Sequence, residues 1–138
     1  MIVLDTNVLS ETLRPEPAES VIRWMRAQPA NRLFTTTICE AEIFYGLALL
    51  PLGRRRSFLE QAVSAILTKL ADRILPFDST AARTFAEIAA TRRNLGRPIR
   101  ELDAQIAAIA RCHGAAVATR NTNDFADCGI TVISPWQE

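Results

Sequence analysis

Ile2-Val3-Leu4-Asp5-Thr6-Asn7 decides how the rest of the chain is read. Three apolar residues in succession, without polar alternation, are the pattern of a strand covered on both faces, and this run stops abruptly at a carboxylate and two hydrogen-bonding side chains. A second segment has the same design: Ala115-Ala116-Val117-Ala118 runs into Thr119-Arg120-Asn121-Thr122-Asn123-Asp124. Strands buried on both faces belong to parallel sheets, in which helices cover the two sides and ligands bind beyond the carboxyl ends of the strands. Both polar clusters fall at such an end.

Working outward, a helical stretch follows Asn7. Residues 17–27 form a second helix with Val21, Trp24 and Met25 at i, i+3, i+4 and Pro29 as its stop. Residues 33–36 are β-prone, and Thr37 can cap a third helix reaching about Leu50. A fourth helix over 54–72 carries Phe58, Ala62, Ile66 and Leu70 on one face. Residues 74–77 are a short strand, and Asp78 is the expected N-cap of a fifth helix ending at Gly96. A sixth fits 102–113, with Gly114 at its cap, and short strands are expected at 115–119 and 131–133. Strands alternate with helices and no two-residue hairpin joins two of them, so the spacing predicts an α/β fold with a central, mainly parallel sheet.

The length of 138 residues predicts a single domain, 1–138, with a sizeable core. Sixteen basic and fifteen acidic residues leave a net charge of +1, so a polyanion site has to be local rather than a property of the whole surface. All but one of the basic residues are arginine, which reflects genome composition before function. Three cysteines with no CxxC spacing, together with the single His113, exclude a disulfide framework and a thiolate zinc site. Cys39 and Cys112 read as small core or boundary residues, Cys128 as a loop thiol, and His113 as a histidine packed at a helix end beside Ile106 and Ile109. Trp24 and Trp136 read as core or boundary aromatics. Asp5 leaves no room for a signal sequence, and the longest uncharged apolar stretch, 43–53, is about half of a membrane span. A cytoplasmic protein without membrane attachment is expected.

Four carboxylates carry the chemistry. Asp5 can cap the next helix, and Asp103 can favour the positive end of the sixth helix. Glu42 shares a helical sector with Ile38, Tyr45 and Leu49, which predicts that it faces the interior and needs a cation or basic partner there. Asp124 closes the second polar cluster. Carboxylates gathered at element ends repel one another unless a cation neutralises them, and oxygen ligands select hard ions such as Mg²⁺ or Mn²⁺, which suit phosphodiester cleavage.

The motifs Leu4-Asp5-Thr6-Asn7-Val8-Leu9, Ile38-Cys39-Glu40-Ala41-Glu42-Ile43, Leu102-Asp103-Ala104-Gln105-Ile106-Ala107 and Ala118-Thr119-Arg120-Asn121-Thr122-Asn123-Asp124-Phe125 resemble, in order and separation, those of PIN domains of the VapC and FitB toxin type. The resemblance spans essentially the whole chain. It implies a three-layer sandwich and a ribonuclease dependent on Mg²⁺ or Mn²⁺, the toxin half of a type II toxin–antitoxin pair. Asp5, Glu42 and Asp103 match the family's three acidic metal-site positions. The fourth acid falls where this chain has either Asn121 or Asp124, and Asp124 is the candidate. Thr119, Thr6 and Asn7 match supporting polar positions, with Asn121 able to offer only a neutral oxygen or a hydrogen bond.

Phosphatases of the haloacid dehalogenase type need a second Asp where this chain has Asn7, and a receiver domain needs a lysine after a late strand, whereas Lys69 lies in a helix. The competing reading of another class is a PIN-scaffold binding protein that acts in a regulatory complex on operator DNA, reached through an antitoxin. Arg92, Arg93, Arg97 and Arg100 precede Asp103, and some of them are expected to hold the RNA backbone beside the acids. In the third helix, Phe44 and Leu47 share the sector of Glu40, opposite Ile38, Glu42 and Leu49, which leaves an apolar face for a homodimer. The resemblance adds a cognate antitoxin whose C-terminal segment covers the acidic pocket.

Overall fold

The computed structural model describes residues 1–137; residue 138, the end of the expected 1–138 domain, lies outside the described residues. Five strands form one sheet: β1 (Ile2–Leu4), β2 (Leu33–Thr36), β3 (Ile74–Leu75), β4 (Ala116–Ala118) and β5 (Val132–Ile133). Their order is β3-β2-β1-β4-β5, and every pairing is parallel. Six helices join and cover them: α1 (Thr6–Thr12), α2 (Glu19–Ala27), α3 (Thr37–Ala48), α4 (Arg54–Lys69), α5 (Ser79–Asn94) and α6 (Glu101–Cys112). Among the described residues no helix is long and apolar enough to cross a membrane.

Alternation along the strands divides the core in two. Val3 and Val117 point to one side, where they meet Ile88 of α5 and Ala104, Ala107 and Ala108 of α6. Ile2, Leu4 and Ala118 point to the other, against Val8 and Leu9 of α1, Val21 of α2 and Val63 of α4. A strand of only three residues is thus buried on both faces, which is why its sequence shows no polar alternation. The result is the expected three-layer arrangement, helices on either side of a parallel sheet.

The chain leaves β1 toward β2 and β3, then returns to the opposite side of β1 to lay down β4 and β5. That reversal opens a crevice beyond the carboxyl ends of β1 and β4, whose register pairs Leu4 with Ala118. Several expected boundaries shift. The cap of α3 is Thr36, whose hydroxyl accepts from Cys39 N at 3.1 Å, rather than Thr37. α2 begins at Glu19, two residues after Pro17, and α4 ends at Lys69, after which a 3₁₀ turn occupies Ala71–Arg73. Asp78 caps α5 as expected, accepting from Ala81 N at 2.9 Å. The face expected on α4 rotates: Val63 is buried and Phe58 is 68% exposed. Cys112 and His113 are exposed at the end of α6, not packed, while Cys128 is buried.

Candidate active site

A cleft of about 460 Å³ opens at the crevice and is lined by Asp5, Glu42, Asp103 and Asp124, each from a different part of the chain. Thr6, Asn7, Asn121 and Arg100 line it too, together with Ser10, Glu11, Arg14 and Arg120. Parallel topology explains the convergence. Asp5 follows β1, Glu42 lies on the helix that follows β2, Asp103 is in the first turn of α6, and Asp124 is in the 3₁₀ turn Thr122–Phe125 after β4.

Asp5 is held from both sides. Its backbone N donates to Ala118 O at 2.9 Å, extending the sheet by one residue. One carboxylate oxygen accepts from Thr6 N at 2.8 Å, so the residue is the helix cap, and the other accepts from the Thr119 hydroxyl at 2.7 Å. Capping and site membership are therefore compatible. Thr119 is fully buried, and its oxygen also accepts from Asn121 N at 3.1 Å and from the Asn7 amide at 3.3 Å, while Asn7 Oδ1 accepts from Arg120 N at 3.2 Å. Thr6 donates its hydroxyl to Glu42 Oε1 at 2.8 Å. Thr6, Asn7 and Thr119 act on the carboxylates and on the loop after β4.

Burial pushes the Asp5 carboxyl up to about 6; the bonds from Thr119 and Thr6 pull it down, and the neighbouring Asp103 and Glu42 charges add to the rise. Burial likewise raises the Cys39 thiol to about 11, with Asp5 contributing, which keeps that thiol neutral. Asp103 is also buried, and Arg100 grips it with two bonds, Nε to Oδ2 at 3.0 Å and Nη2 to Oδ1 at 3.2 Å. The bonds and charge of Asp103 raise the Arg100 guanidinium further.

The donor set has the character a hard divalent ion requires. Carboxylate oxygens on several sides of one cleft, one of them resisting ionisation because it is buried and, to a smaller extent, because other carboxylates lie near, are the chemistry such an ion relieves. Among the described residues no three His, Cys, Asp or Glu side chains are grouped closely enough to hold an ion as they stand. Arg100 occupies both oxygens of Asp103, but its own side chain is 73% exposed and free to turn outward. The residues fit the ion in kind, with Arg100 in the place of the positive charge.

The four arginines expected to face RNA have separate fates. Arg92 is a correction: it is buried, and Nε donates to Arg97 O at 2.8 Å while Nη1 donates to Asp124 O at 2.9 Å and Ala126 O at 3.0 Å. It holds the loop that carries Asp124, a role that only tertiary packing reveals. Arg97 pairs with Asp127 of the same loop, and Arg93 is exposed at the end of α5; neither lines the cleft. Only Arg100 does. Glu42 is a second correction, since its sector is not interior: Tyr45 is 67% and Leu49 66% exposed. Its carboxylate is half-buried because α3 starts at the carboxyl end of β2, beside Thr6.

Sequence reasoning missed Ser10, Glu11, Arg14 and Arg120. Asn7, Ser10, Glu11 and Arg14 follow one another at i, i+3, i+4 and i+7, a polar stripe that helical periodicity makes visible. Glu11 is buried, accepting from Ala18 N at 3.0 Å and from Arg14 Nη1 at 3.4 Å.

Residues 2–129 match the PIN domain family. The chain is 42% identical to VapC ribonuclease Y4jK of Sinorhizobium fredii over 99% of both proteins. It is 40% identical to toxin FitB of Neisseria gonorrhoeae over all of both. A solved structure of FitAB bound to an IR36 DNA fragment contains a chain that superimposes with a TM-score of 0.96 at 39% identity, covering 100% of this chain and 97% of that one.

Proposed function

The chain belongs to the PIN domain family, and we propose that it is an endoribonuclease, the toxin of a toxin–antitoxin pair, working as a single cytoplasmic domain with Mg²⁺ or Mn²⁺. One observation carries this reading: acidic side chains from four segments meet in one cleft at the topological switch point, with Asp5 driven up to about 6 by burial. The relatives named VapC ribonuclease and toxin FitB support the activity and its biological class.

Asp5 and Asp103 would hold the ion directly, Glu42 would hold it or orient water, and Asp124 would act from the outer side. A bound divalent ion supplies a more acidic water and neutralises charge on the phosphate. The chain's own residues do the rest. Thr119 and Thr6 keep the Asp5 and Glu42 carboxylates in one orientation, so little rearrangement is needed when substrate arrives. Glu42, with one oxygen accepting from Thr6, retains a second oxygen to receive a proton from water. Arg100 must leave Asp103, and doing so frees a cation beside the phosphate.

The cognate antitoxin closes the same cleft, and operator DNA is reached through it; the solved structure of FitAB bound to a DNA fragment supports an assembly of this kind. The chain pairs with a second copy through the exposed apolar residues of α3, α4 and the turn between them, where Phe44, Tyr45, Leu49, Leu52 and Phe58 are each at least half exposed; of the face expected from the sequence Phe44 belongs to this surface, whereas Leu47 packs partly against the core. Purified protein should cut RNA with Mg²⁺ or Mn²⁺, stop with chelator and stop with saturating antitoxin. RNA left intact by a folded, metal-supplied preparation would overturn the proposal.

A further inference from the structure

An acidic cleft repels phosphate unless some cation at its rim is free to bind it. Three arginines line this one. Arg14 pairs with the buried Glu11 at 3.4 Å, and Arg100 is bonded twice to Asp103. Arg120 differs from both: among the described residues its guanidinium has no carboxylate partner, and it lies over the ring of Trp136, 5.3 Å from the centroid.

The register of the sheet builds this contact. Ala118 pairs with Ile133, and Thr119 N donates to Ile133 O at 2.9 Å, so β4 and β5 end together. Arg120 follows just beyond one end, and Trp136 sits on the short turn beyond the other. Trp136 is half-buried against the core cluster that contains Leu4 and Ala118, which makes it a fixed platform. Arg120 N donates to Asn7 Oδ1, which pins its main chain to the residues that follow Asp5. A guanidinium held over a ring by its charge keeps N–H groups available, and these match a phosphate in a two-bond geometry.

We propose that Arg120, held by Trp136, is a residue that binds the RNA backbone at the rim of the cleft, one phosphate of a single-stranded substrate per site, and that it does so before and independently of the release of Arg100 from Asp103. The inference rests on the ribonuclease reading and adds to it the group that receives the strand. Arg120 is a binding residue here, and Trp136 a positioning residue that acts through it.

The test uses the full chain carrying Asp5→Asn, which keeps RNA uncut, and a fluorescein-labelled single-stranded oligoribonucleotide followed by anisotropy at several salt concentrations in Mg²⁺. Adding Arg120→Gln should raise Kd about tenfold, the worth of one charge-assisted hydrogen bond, and should lower the steepness of log K against log salt by about 0.7, the value for one phosphate on a single strand. Arg120→Lys should restore the salt dependence. Trp136→Leu should raise Kd while leaving the salt dependence unchanged, a separation that a general loss of structure would not produce. In the otherwise wild-type chain, Arg120→Gln should bind Mn²⁺ no more weakly by calorimetry. If Arg120→Gln leaves both Kd and salt dependence unaltered while the parent binds RNA, this proposal falls and the ribonuclease reading stands. If the variant instead loses only antitoxin binding, the pair of Arg120 and Trp136 is a protein contact and the proposal is overturned. If the parent binds no RNA, both readings fall.

Discussion

In the cleft beyond β1 and β4, Asp5, Glu42 and Asp103 each accept hydrogen bonds from a specific neighbour. On α3, just past its end and on α4, Phe44, Tyr45, Leu49 and Phe58 stand half or more exposed. The two regions touch: Thr6, Ser10, Arg14 and Glu42 line both the acidic cleft and an apolar groove that continues to Leu47, Phe58 and Leu59. The contrast teaches which needs a chain must meet by itself. A buried carboxylate without partners costs several kcal/mol, so its hydrogen bonds have to be present in the folded monomer. Exposed apolar surface is tolerated until a second chain covers it.

The sharpest break in the comparison is chemical. Asp5→Asn should lower RNA cleavage on the order of 10³-fold, as loss of a preorganised charge at the reacting centre does, while the apolar face and the oligomeric state stay as they were. Gel assay of a nuclease-free preparation checks it, and full activity would remove Asp5 from the site.

A structural break comes next. Arg92→Gln leaves the carbonyls of Arg97, Asp124 and Ala126 without their donor, which should cost about 2–4 kcal/mol in denaturant unfolding. Metal affinity should fall with it, because the loop carrying Asp124 loosens. Unchanged stability would show that the loop is held by other means, such as the Arg97 pair with Asp127.

The same Asp5→Asn change should have the opposite sign in stability. The native carboxyl titrates at about 6 against 3.8 for an unperturbed group, so between those values the folded state keeps a proton that the unfolded chain has released. The contribution of Asp5 to stability is therefore fully present below about pH 4 and is lost as pH rises through 6. At pH 7 without metal, Asp5→Asn should be more stable than the parent by up to about 3 kcal/mol, and at pH 4 the two should be nearly equal. Adding Mg²⁺ should stabilise the parent and not the variant. Urea unfolding at the two pH values, with and without the ion, sets the sign.

The smallest effect on the fold belongs to the other region. Leu49→Arg adds a charge to a side chain already 66% exposed, so folding free energy should change by less than about 0.5 kcal/mol. Sedimentation should nonetheless shift from dimer to monomer. Leu47 is the poorer choice for this experiment, since it packs partly against the core. A wild-type chain that sediments as a monomer at micromolar concentration would dissolve the contrast between the two regions.

How much is legible in the sequence follows from range. The strand at Ile2–Leu4 and the polar ends after Leu4 and Ala118 are local patterns, so neighbouring residues are enough to locate the cleft. The burial of Glu42 depends on which side of α3 the core takes. Helical periodicity sets the sector of Ile38, Glu42, Tyr45 and Leu49 opposite that of Phe44 and Leu47, and the fold buries neither whole sector but the strip between them with Cys39 and Ile43, leaving Tyr45 and Leu49 outside. The role of Arg92 cannot be read locally at all, because its partners lie 5, 32 and 34 residues away.

By itself, then, the sequence determined the alternation of strands and helices, the parallel sheet and the acidic residues at its carboxyl edge, since each is written in neighbouring residues whose burial and hydrogen bonding are settled over a few positions. Only the tertiary structure decided which arginine supports the Asp124 loop, which one grips Asp103 and which one lies over Trp136. Arginine side chains are long and always charged, and a run of sequence says nothing about the acceptor each will reach. That choice is made when β4 and β5 end side by side and α5 closes over the loop between them.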